Sequence, residues 1–313
     1  MILVTGGTGF IGQVLVRHLV EEGHTVRTLL RPAPGNPRLP AGVPVQVAIS
    51  SIDDARGMRS ALTGIETVIH LAGSEWRGAR ADLDSVEVAG ARTLAAAAGE
   101  AGVRRIIAMS HLGADRASAY PVLKANGIAE ELLRKTGLDV TIVRAAPVFG
   151  PDDHFTTAIA RILHIFPFVF PLPGRGQMLL QPLWVEDLAT CLAWLLERPE
   201  SAGQTYELGG PEFLTLADIV NQVMGAVGVR RRFWPLSPVV MRYAAVYLEY
   251  FFPGIPTSTY WLDYFSASHT TEIDSVPRQF GLLPARLSQR LGHLHGQPWG
   301  RRAWRDLFVR PRQ

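Results

Sequence analysis

The chain has one cysteine, Cys191, among 313 residues. A single cysteine excludes a disulfide framework within the chain and any metal site that needs several thiolates. Cys191 lies in the apolar stretch 188–196, where we expect it to be a small buried side chain. The histidines show no spacing typical of metal ligands either, so we predict no metal site.

Long apolar runs are also missing. No uninterrupted run reaches about 18 residues, the length that a membrane-spanning helix requires. The nearest, residues 159–173, is broken by Arg161, His164 and three prolines. No signal peptide precedes the first strand, which begins at Met1. The sequence therefore predicts a cytoplasmic protein, with peripheral contact at a membrane as the alternative.

Charged residues make up only 19% of the chain, against 47% hydrophobic residues, which excludes global disorder. The net charge of +3 is uneven, because residues 285–313 hold seven Arg and one Asp. This C-terminal segment either packs its aromatic residues back on the domain or meets an anionic partner or membrane surface. We expect no nucleic-acid partner, because no recognised binding motif accompanies the charge.

Glycine is concentrated at the start of the chain, after an apolar run of strand length. Gly7, Gly9 and Gly12 form G-x-G-x-x-G, whereas Gly6, Gly9 and Gly12 form G-x-x-G-x-x-G. Residues 13–22 then show the periodicity of an amphipathic helix. A strand, a tight glycine turn and a helix N-terminus together let the backbone approach and bind a pyrophosphate.

Strand-like and helix-like segments alternate in the first half of the chain, and further segments of both kinds follow in the second half. We predict strands at residues 26–30, 43–49, 67–71, 103–109, 140–143, 181–185 and 205–208, and helices at 53–62, 82–101, 121–136, 216–227 and 238–252. This order predicts an α/β fold: a Rossmann-type doubly wound parallel sheet with a small, mostly helical C-terminal lobe. We assign residues 1–155 plus about 176–210 to the Rossmann domain, and about 156–175 plus 211–313 to the lobe.

Tyr120 and Lys124 form Tyr-x-x-x-Lys at the start of a predicted helix. Residues four apart share a helix face, and Pro121 suits the first helical turn. An ammonium near a phenol lowers the pKa of the tyrosine from about 10, so the phenol can exchange a proton with an alcohol or carbonyl oxygen. Lysine is otherwise nearly absent, since Lys135 is the only other one beside 29 arginines. The alternative is an ordinary surface pair.

These features together resemble the short-chain dehydrogenase/reductase superfamily, in its extended and atypical branches. The likeness rests on the glycine turn, the βαβ order, Leu71-Ala72-Gly73, Ser110 and the Tyr-x-x-x-Lys motif. Among subgroups, residues 110–115 and 137–151 look most like the nucleotide-binding accessory subunit of respiratory complex I and its bacterial relatives. The resemblance covers residues 1–210 well and the remainder loosely.

The resemblance implies a bound nicotinamide dinucleotide, with Tyr120 as acid/base and Lys124 holding the ribose and tuning the phenol. Ser110 is the nearest hydroxyl for the family's contact with the substrate oxygen. The residues implied to bind the cofactor are Thr5, Gly6, Gly9, Phe10, Ile11, Gly12, Leu71, Ala72, Gly73, Tyr120, Lys124, Ala146, Pro147 and Val148.

The end of the predicted second strand favours NADP(H) over NAD(H). A carboxylate there would bind a free ribose 2′-hydroxyl, whereas an arginine suits a 2′-phosphate. The sequence reads Leu29-Leu30-Arg31, with Arg38 in the following loop. We therefore expect Arg31 to contact the 2′-phosphate and Arg38 to assist, unless Arg31 is merely a solvated loop residue.

Several supporting residues of the family pattern are replaced. Ser51 stands where an acidic residue is usual near the adenine, and Glu87 stands where an Asn often belongs to a proton relay. Ser110 precedes Tyr120 by only ten residues, so Leu112 or Gly113 is an alternative match and Ser118 another hydroxyl candidate. An incomplete relay is typical of a protein that binds the cofactor without turning it over.

Two functions follow. We predict an NADP-dependent oxidoreductase or epimerase that acts at a carbonyl or carbinol carbon of a small-molecule substrate. Trp184 and the aromatic helix at 238–252 are candidates to line a bulky apolar cleft, a core or a membrane-facing surface. The alternative is a non-catalytic NADP(H)-binding accessory or redox-sensing protein, attached to a membrane complex through its C-terminal third.

Overall fold

The computed structural model describes residues 1–32, 39–74, 81–252, 254–256 and 258–308. These residues form two compact units. The first contains Met1–Ser74, Asp82–Ala145 and Val185–Leu208. The second contains Ala146–Trp184 and the described residues from Gly209 onward.

The strands of the described residues are short, and all but two of those in the second unit have only two residues. In chain order they are β1 (Ile2–Thr5), β2 (Val26–Leu30), β3 (Gln46–Ile49), β4 (Thr67–His70), β5 (Arg105–His111), β6 (Asp139–Ala145), β7 (Val148–Phe149), β8 (Val169–Pro173), β9 (Leu179–Leu180), β10 (Leu183–Trp184), β11 (Thr205–Leu208), β12 (Leu214–Thr215) and β13 (Arg232–Leu236).

The helices reach 14 residues at most. They are α1 (Phe10–Glu21), α2 (Ala55–Ala61), α3 (Gly90–Ala101), α4 (Pro121–Arg134), α5 (Thr156–Ile165), α6 (Val185–Trp194), α7 (Leu216–Val227), α8 (Pro238–Phe251), α9 (Thr259–Tyr264), α10 (Ser275–Phe280) and α11 (Trp299–Leu307). Across the described residues, no helix combines the length and apolar character that a bilayer span requires.

The first unit is built on a seven-stranded sheet in the order β11-β6-β5-β4-β1-β2-β3. Every neighbouring pair is parallel. The strand order reverses between β1 and β4, which is the point where open α/β sheets bind ligands at the carboxyl ends of their strands. The predicted Rossmann-type doubly wound sheet is confirmed.

The core of the first unit follows from the sequence pattern. α1 buries Leu15, Val16 and Leu19, which recur at helical spacing and pack under the sheet. α1 also lies against α6, where Glu186 accepts hydrogen bonds from Arg17 and His18, both at 2.6 Å. On α6 itself, burial raises the pKa of the Cys191 thiol to about 12, so Cys191 is the small apolar residue expected.

Several predicted boundaries differ from the structure, and of the strand expected over 43–49 only Gln46–Ile49 forms β3. The helix expected over residues 82–101 opens with a π-helical turn, Asp84–Ala89, before α3. Of the strand expected over 181–185, only Leu183–Trp184 is a strand, β10, and Val185 already begins α6. α4 ends at Arg134, before Gly137, which adopts φ +74°.

The second unit is mainly helical, as predicted. It contains α5 and α7 to α11 with three two-stranded pairs, β10-β7, β12-β9 and β13-β8. Stacked aromatic rings organise part of its interior: Trp261 lies 5.1 Å from Phe155 and 5.5 Å from Phe265 between ring centroids.

Candidate functional site

The glycine turn after β1 is closed by contacts that exclude side chains. Gly6 has φ +75°, and a Cβ atom there would lie 2.7 Å from the carbonyl oxygen of Leu71. A Cβ atom on Gly12 would lie 2.1 Å from the carbonyl oxygen of Gly6. The N–H of Gly9 donates to that same oxygen at 2.9 Å. Glycines 6, 9 and 12 therefore build the turn together, as the G-x-x-G-x-x-G register describes.

Gly7 has a different role from its three neighbours. A Cβ atom on Gly7 would lie 2.2 Å from the hydroxyl oxygen of Thr28 on β2. That hydroxyl donates to the carbonyl of Val4 at 3.1 Å, so Thr28 is fixed against β1. The second register, G-x-G-x-x-G, thus includes a glycine that is needed for packing on β2.

The N-terminus of α1 leaves the turn with unsatisfied N–H groups. Gly9 is the N-cap, and no side chain caps the helix. The first helical hydrogen bond runs from Gln13 to Gly9, so the N–H groups of Phe10, Ile11 and Gly12 have no carbonyl partner within the helix. These donors and the helix dipole suit an anion. A glycine-rich turn with no side-chain cap, at the reversal of the sheet, fits a dinucleotide pyrophosphate.

The segment after β4 lies beside this turn. The N–H of Leu71 donates to the carbonyl of Thr5 at 3.1 Å, which extends the pairing of β4 with β1 by one residue. Leu71, Ala72 and Gly73 are half-buried. The predicted flanking residues therefore share one strand edge with the glycine turn.

Thr5 and His70 face each other in the sheet register just behind the turn. The hydroxyl of Thr5 lies 2.9 Å from Nδ1 of His70, and both residues are buried. Burial lowers the pKa of His70 to about 4, so its imidazole is neutral at physiological pH. The side chain of Thr5 is thus used inside the sheet, which leaves its backbone to line the turn.

Arg31 directly follows β2 and is exposed. β2 neighbours β1 on the side away from β4, so Arg31 lies at the same carboxyl edge of the sheet as the glycine turn. Ser51, after β3, uses its hydroxyl in a hydrogen bond to Asp53. Arg38, the other predicted phosphate contact, lies outside the described residues.

Tyr120 is the N-cap residue of α4 and is half-buried. Its N–H donates to the hydroxyl of Ser118 at 3.2 Å, and its carbonyl accepts the N–H of Lys124 at 2.9 Å. Ser118 therefore fixes the backbone of Tyr120 at the helix start, and Pro121 occupies the first turn as predicted.

Lys124 lies on the exposed side of α4. It lines a surface depression of about 500 Å³ together with Arg116, Ile128, Glu131, Leu132 and Lys135. The Lys135 ammonium, hydrogen-bonded at 2.5 Å, and Arg116 at 2.7 Å lower the pKa of Glu131. Both lysines of the chain thus border one depression on the outer face of this helix.

The opposite side of α4 holds a buried polar cluster around Glu130. Ser110, at the end of β5, donates its hydroxyl to Oε1 of Glu130 at 2.6 Å. Arg144 on β6 binds the same carboxylate with two hydrogen bonds, at 2.8 and 3.0 Å, and this pairing raises the pKa of Arg144. The hydroxyl proton of Ser110 is therefore directed at a carboxylate.

The sequence interpretation missed Glu130, although a signal was present. Val122, Asn126 and Glu130 recur every fourth residue, and all three are buried. The amide of Asn126 donates to the carbonyl of Val122 at 3.0 Å. Two polar residues at the spacing of a helix face that also carries apolar residues indicate a buried polar contact.

Glu87 is buried in the π-helical turn that precedes α3. It accepts the N–H of Ser74 at 2.6 Å and the hydroxyl of Ser74 at 3.0 Å. The carboxylate at this position thus anchors the segment after Gly73, instead of carrying the amide usual in the family.

Ala146, Pro147 and Val148 belong to the second unit. There the carbonyl of Pro147 accepts the N–H of Leu183 at 3.0 Å, and β7 pairs with β10 in parallel. Their predicted approach to a nicotinamide stays a prediction.

Comparison with known proteins agrees with this architecture. A family model described as NAD(P)H-binding matches residues 6–159. The chain is 30% identical over 227 residues to NADH dehydrogenase [ubiquinone] 1 alpha subcomplex subunit 9, mitochondrial, of Rattus norvegicus. That match covers 71% of this chain and 60% of the rat protein, so the chain spans less than two thirds of the relative's length.

Further similarity extends to reductases. A Synechocystis protein whose name proposes a dihydroflavonol 4-reductase is 30% identical over 253 residues, which is 72% of each chain. The structure of an NADPH-dependent quinone oxidoreductase of Escherichia coli, complexed with NADPH, superimposes with a TM-score of 0.73 at 20% identity and covers 94% of this chain and 99% of that one. This last likeness shows the fold alone. The chain belongs to the NAD(P)-binding short-chain dehydrogenase/reductase family, in its extended or atypical branch.

Proposed function

We propose that this protein binds NADPH in preference to NADH at the glycine turn. The observation that carries the proposal is the uncapped N-terminus of α1, set in a turn whose Gly6 and Gly12 positions have no room for a side chain. When bound, the dinucleotide supplies a nicotinamide that can give or take a hydride.

The glycine turn, its flanking segment, Arg31 and residues 146–148 have distinct tasks in this proposal. The N–H groups of Phe10, Ile11 and Gly12 would hold the pyrophosphate, and residues 71–73 would flank it. The guanidinium of Arg31 would pair with the 2′-phosphate, for which its planar fork of donors is suited. Residues 146–148 would approach the nicotinamide.

We further propose that the bound dinucleotide serves as a ligand of an accessory or sensing protein. Two observations support this role: Lys124 lies on the exposed side of α4, and the hydroxyl of Ser110 is engaged by Glu130. The likeness to a subunit of NADH dehydrogenase points the same way. By analogy, the partner of this chain would be a membrane-associated complex.

Hydride transfer is the second candidate function. Tyr120-x-x-x-Lys124 and the similarity to a protein named as a reductase favour it. In this reaction a carbonyl carbon of the substrate would accept hydride from NADPH, while the phenol of Tyr120 gives its proton to the carbonyl oxygen. The products would be an alcohol, NADP⁺ and a phenolate, which solvent reprotonates.

The proposal is tested by titrating the protein with NADPH and NADH while following nicotinamide fluorescence, for wild type and for Arg31→Ala. We expect wild type to prefer NADPH, and the variant to lose roughly tenfold or more in affinity for NADPH alone, as befits a lost charge-assisted pair. Arg116→Ala is the matched control, since Arg116 is an exposed arginine of the same unit. Equal weakening by both variants, or no binding of either cofactor, would contradict the proposal.

Turnover separates the two candidate functions. NADPH oxidation is followed with quinones, aldehydes and ketones as acceptors, in wild type and in Tyr120→Phe. The accessory role predicts no turnover that depends on Tyr120, although NADPH still binds. Turnover that falls about 100-fold or more in Tyr120→Phe would establish the reductase instead.

A further inference from the structure

Helix α8 in the second unit exposes an apolar face of the kind that helices of globular proteins normally bury. Along it, apolar and aromatic side chains recur at spacings of three and four, and we call this set the aromatic stripe: Val239, Tyr243, Val246, Tyr247 and Tyr250. Tyr243 and Tyr247 are each 67% exposed, and Tyr250 is 75% exposed. Only Ala245 and Glu249 of this helix are buried. Contiguous exposed apolar surface of this kind marks an interaction site.

The stripe itself carries no charge. Of the two charged residues on α8, Arg242 pairs with Asp263 at 2.7 Å, and Glu249 accepts the N–H of Thr259 at 2.7 Å. The helix is therefore tied to α9 by its polar side. The adjacent, exposed side of the helix presents tyrosines, whose rings combine an apolar body with a polar tip and favour a membrane–water interface.

Positive charge lies at the end of α8. The ring of Phe252, just after α8, lies 5.6 Å from that of Phe308, just after α11, and the N–H of Gly254 donates to the carbonyl of Leu307 at 3.2 Å. α11 carries three arginines, of which Arg301 and Arg305 are exposed, and Arg305 pairs with Asp306 at 2.8 Å. The segment 285–313 has a formal charge of +6, from seven Arg and one Asp.

We propose that the aromatic stripe and the arginines of α11 form a docking surface for an anionic lipid bilayer. A helix of 14 residues is about 21 Å long, so it would lie in the interface plane instead of crossing the membrane. The apolar stripe supplies burial among the acyl chains, and the arginines supply attraction to anionic headgroups. The inference goes beyond dinucleotide binding and does not depend on it, because all these residues lie in the second unit.

The test is co-sedimentation of the full chain with two kinds of vesicles: phosphatidylcholine alone, and an equal mixture of phosphatidylcholine and phosphatidylglycerol. We expect binding to the anionic vesicles that weakens as salt is added. The double variant Tyr243→Ser/Tyr247→Ser should lose roughly tenfold or more in affinity, because two exposed rings no longer insert. Arg301→Gln should weaken binding to anionic vesicles only.

The matched control is Phe213→Ser/Leu283→Ser, which removes two exposed apolar side chains of the same unit outside the stripe. It should bind vesicles as wild type does. Circular dichroism and NADPH titration of each variant show that both units remain folded. Absence of vesicle binding, or equal binding by the stripe variant, would overturn the proposal. A dimer that the stripe variant converts to a monomer, without vesicle binding, would assign the surface to a second copy of this chain.

Discussion

The glycine turn and helix α4 both belong to the first unit, but their polar groups are used differently. At the turn, backbone donors are left unsatisfied and side chains are excluded by contacts as close as 2.1 Å. Around α4, the hydroxyl of Ser110 and the carboxylate of Glu130 satisfy each other in a buried cluster. One region is prepared for a ligand, and the other is largely satisfied within the protein.

This difference separates cofactor binding from proton transfer. An anion site needs only free N–H groups and space, which a backbone turn provides without any particular side chain. Acid/base catalysis needs a phenol, an ammonium and a hydroxyl directed at one reacting oxygen. A chain can therefore keep the first property while the side chains of the second form other contacts.

The largest effect on NADPH affinity should come from Gly12→Ala, which fills the closest contact in the glycine turn. The added Cβ must displace the backbone at Gly6, so we expect NADPH affinity to fall about 100-fold or more, or about 2.7 kcal/mol. Fluorescence titration measures the loss. Gly99→Ala on α3 is the matched control, because open space surrounds that helical glycine. It should leave binding unchanged and stabilise the fold by about 0.5–1 kcal/mol.

The pH dependence of stability should reveal His70, which lies behind the turn. Its pKa is lowered from 6.5 to about 4 on folding, so the unfolded chain binds more protons between these values. His70 therefore contributes fully to stability above pH 6.5, and the contribution is lost as the pH falls towards 4. Linkage gives a loss of about 3 kcal/mol between pH 7 and pH 4.

Urea unfolding of wild type and His70→Gln across this range measures the loss. The slope of the unfolding free energy against pH should be smaller in the variant, and the difference should correspond to at most one proton bound on unfolding. Identical slopes would show that His70 is not buried in its neutral form.

Glu130→Gln tests the buried cluster on α4. The change removes the carboxylate that binds Arg144 with two hydrogen bonds and leaves it the more distant Glu207, 3.6 Å away. We expect a loss of about 2 kcal/mol, less than for a fully buried pair because Arg144 is 26% exposed. Its neighbour provides the control: Glu131→Gln removes only exposed ion pairs and should change the free energy of unfolding far less than Glu130→Gln does. Similar losses for the two variants in urea unfolding would mean that the cluster around Glu130 contributes little.

Much of the sheet could be predicted from the sequence, because parallel strands and glycine turns leave local patterns. β2, β11 and α7 have the predicted bounds, and the glycine turn joins β1 to α1 as expected. The π-helical turn before α3 could not be predicted, and within it Glu87 contacts Ser74, which lies thirteen residues away in the sequence. Local periodicity carries no record of such a contact.

The sequence predicted the glycine turn better than it predicted the surroundings of Lys124 on α4. The roles of Gly6 and Gly12 follow from local geometry and spacing. The orientation of Lys124 depends on which side of α4 is buried, and that side holds Val122, Leu123 and Leu133 as well as Glu130 with its partners on β5 and β6. The Tyr-x-x-x-Lys motif defines the spacing of the pair along a helix but not the side on which the pair lies.

An NADPH titration of Lys124→Met beside wild type tests most directly whether the glycine turn holds the cofactor without help from α4. If α4 also holds the cofactor, Lys124 is the residue on it that makes the contact. We predict a dissociation constant within about twofold of wild type, because the free N–H groups of α1 and Arg31 supply the anion contacts. A loss of tenfold or more in NADPH affinity, with the fold intact by circular dichroism, would contradict this prediction and show that Lys124 contacts the cofactor.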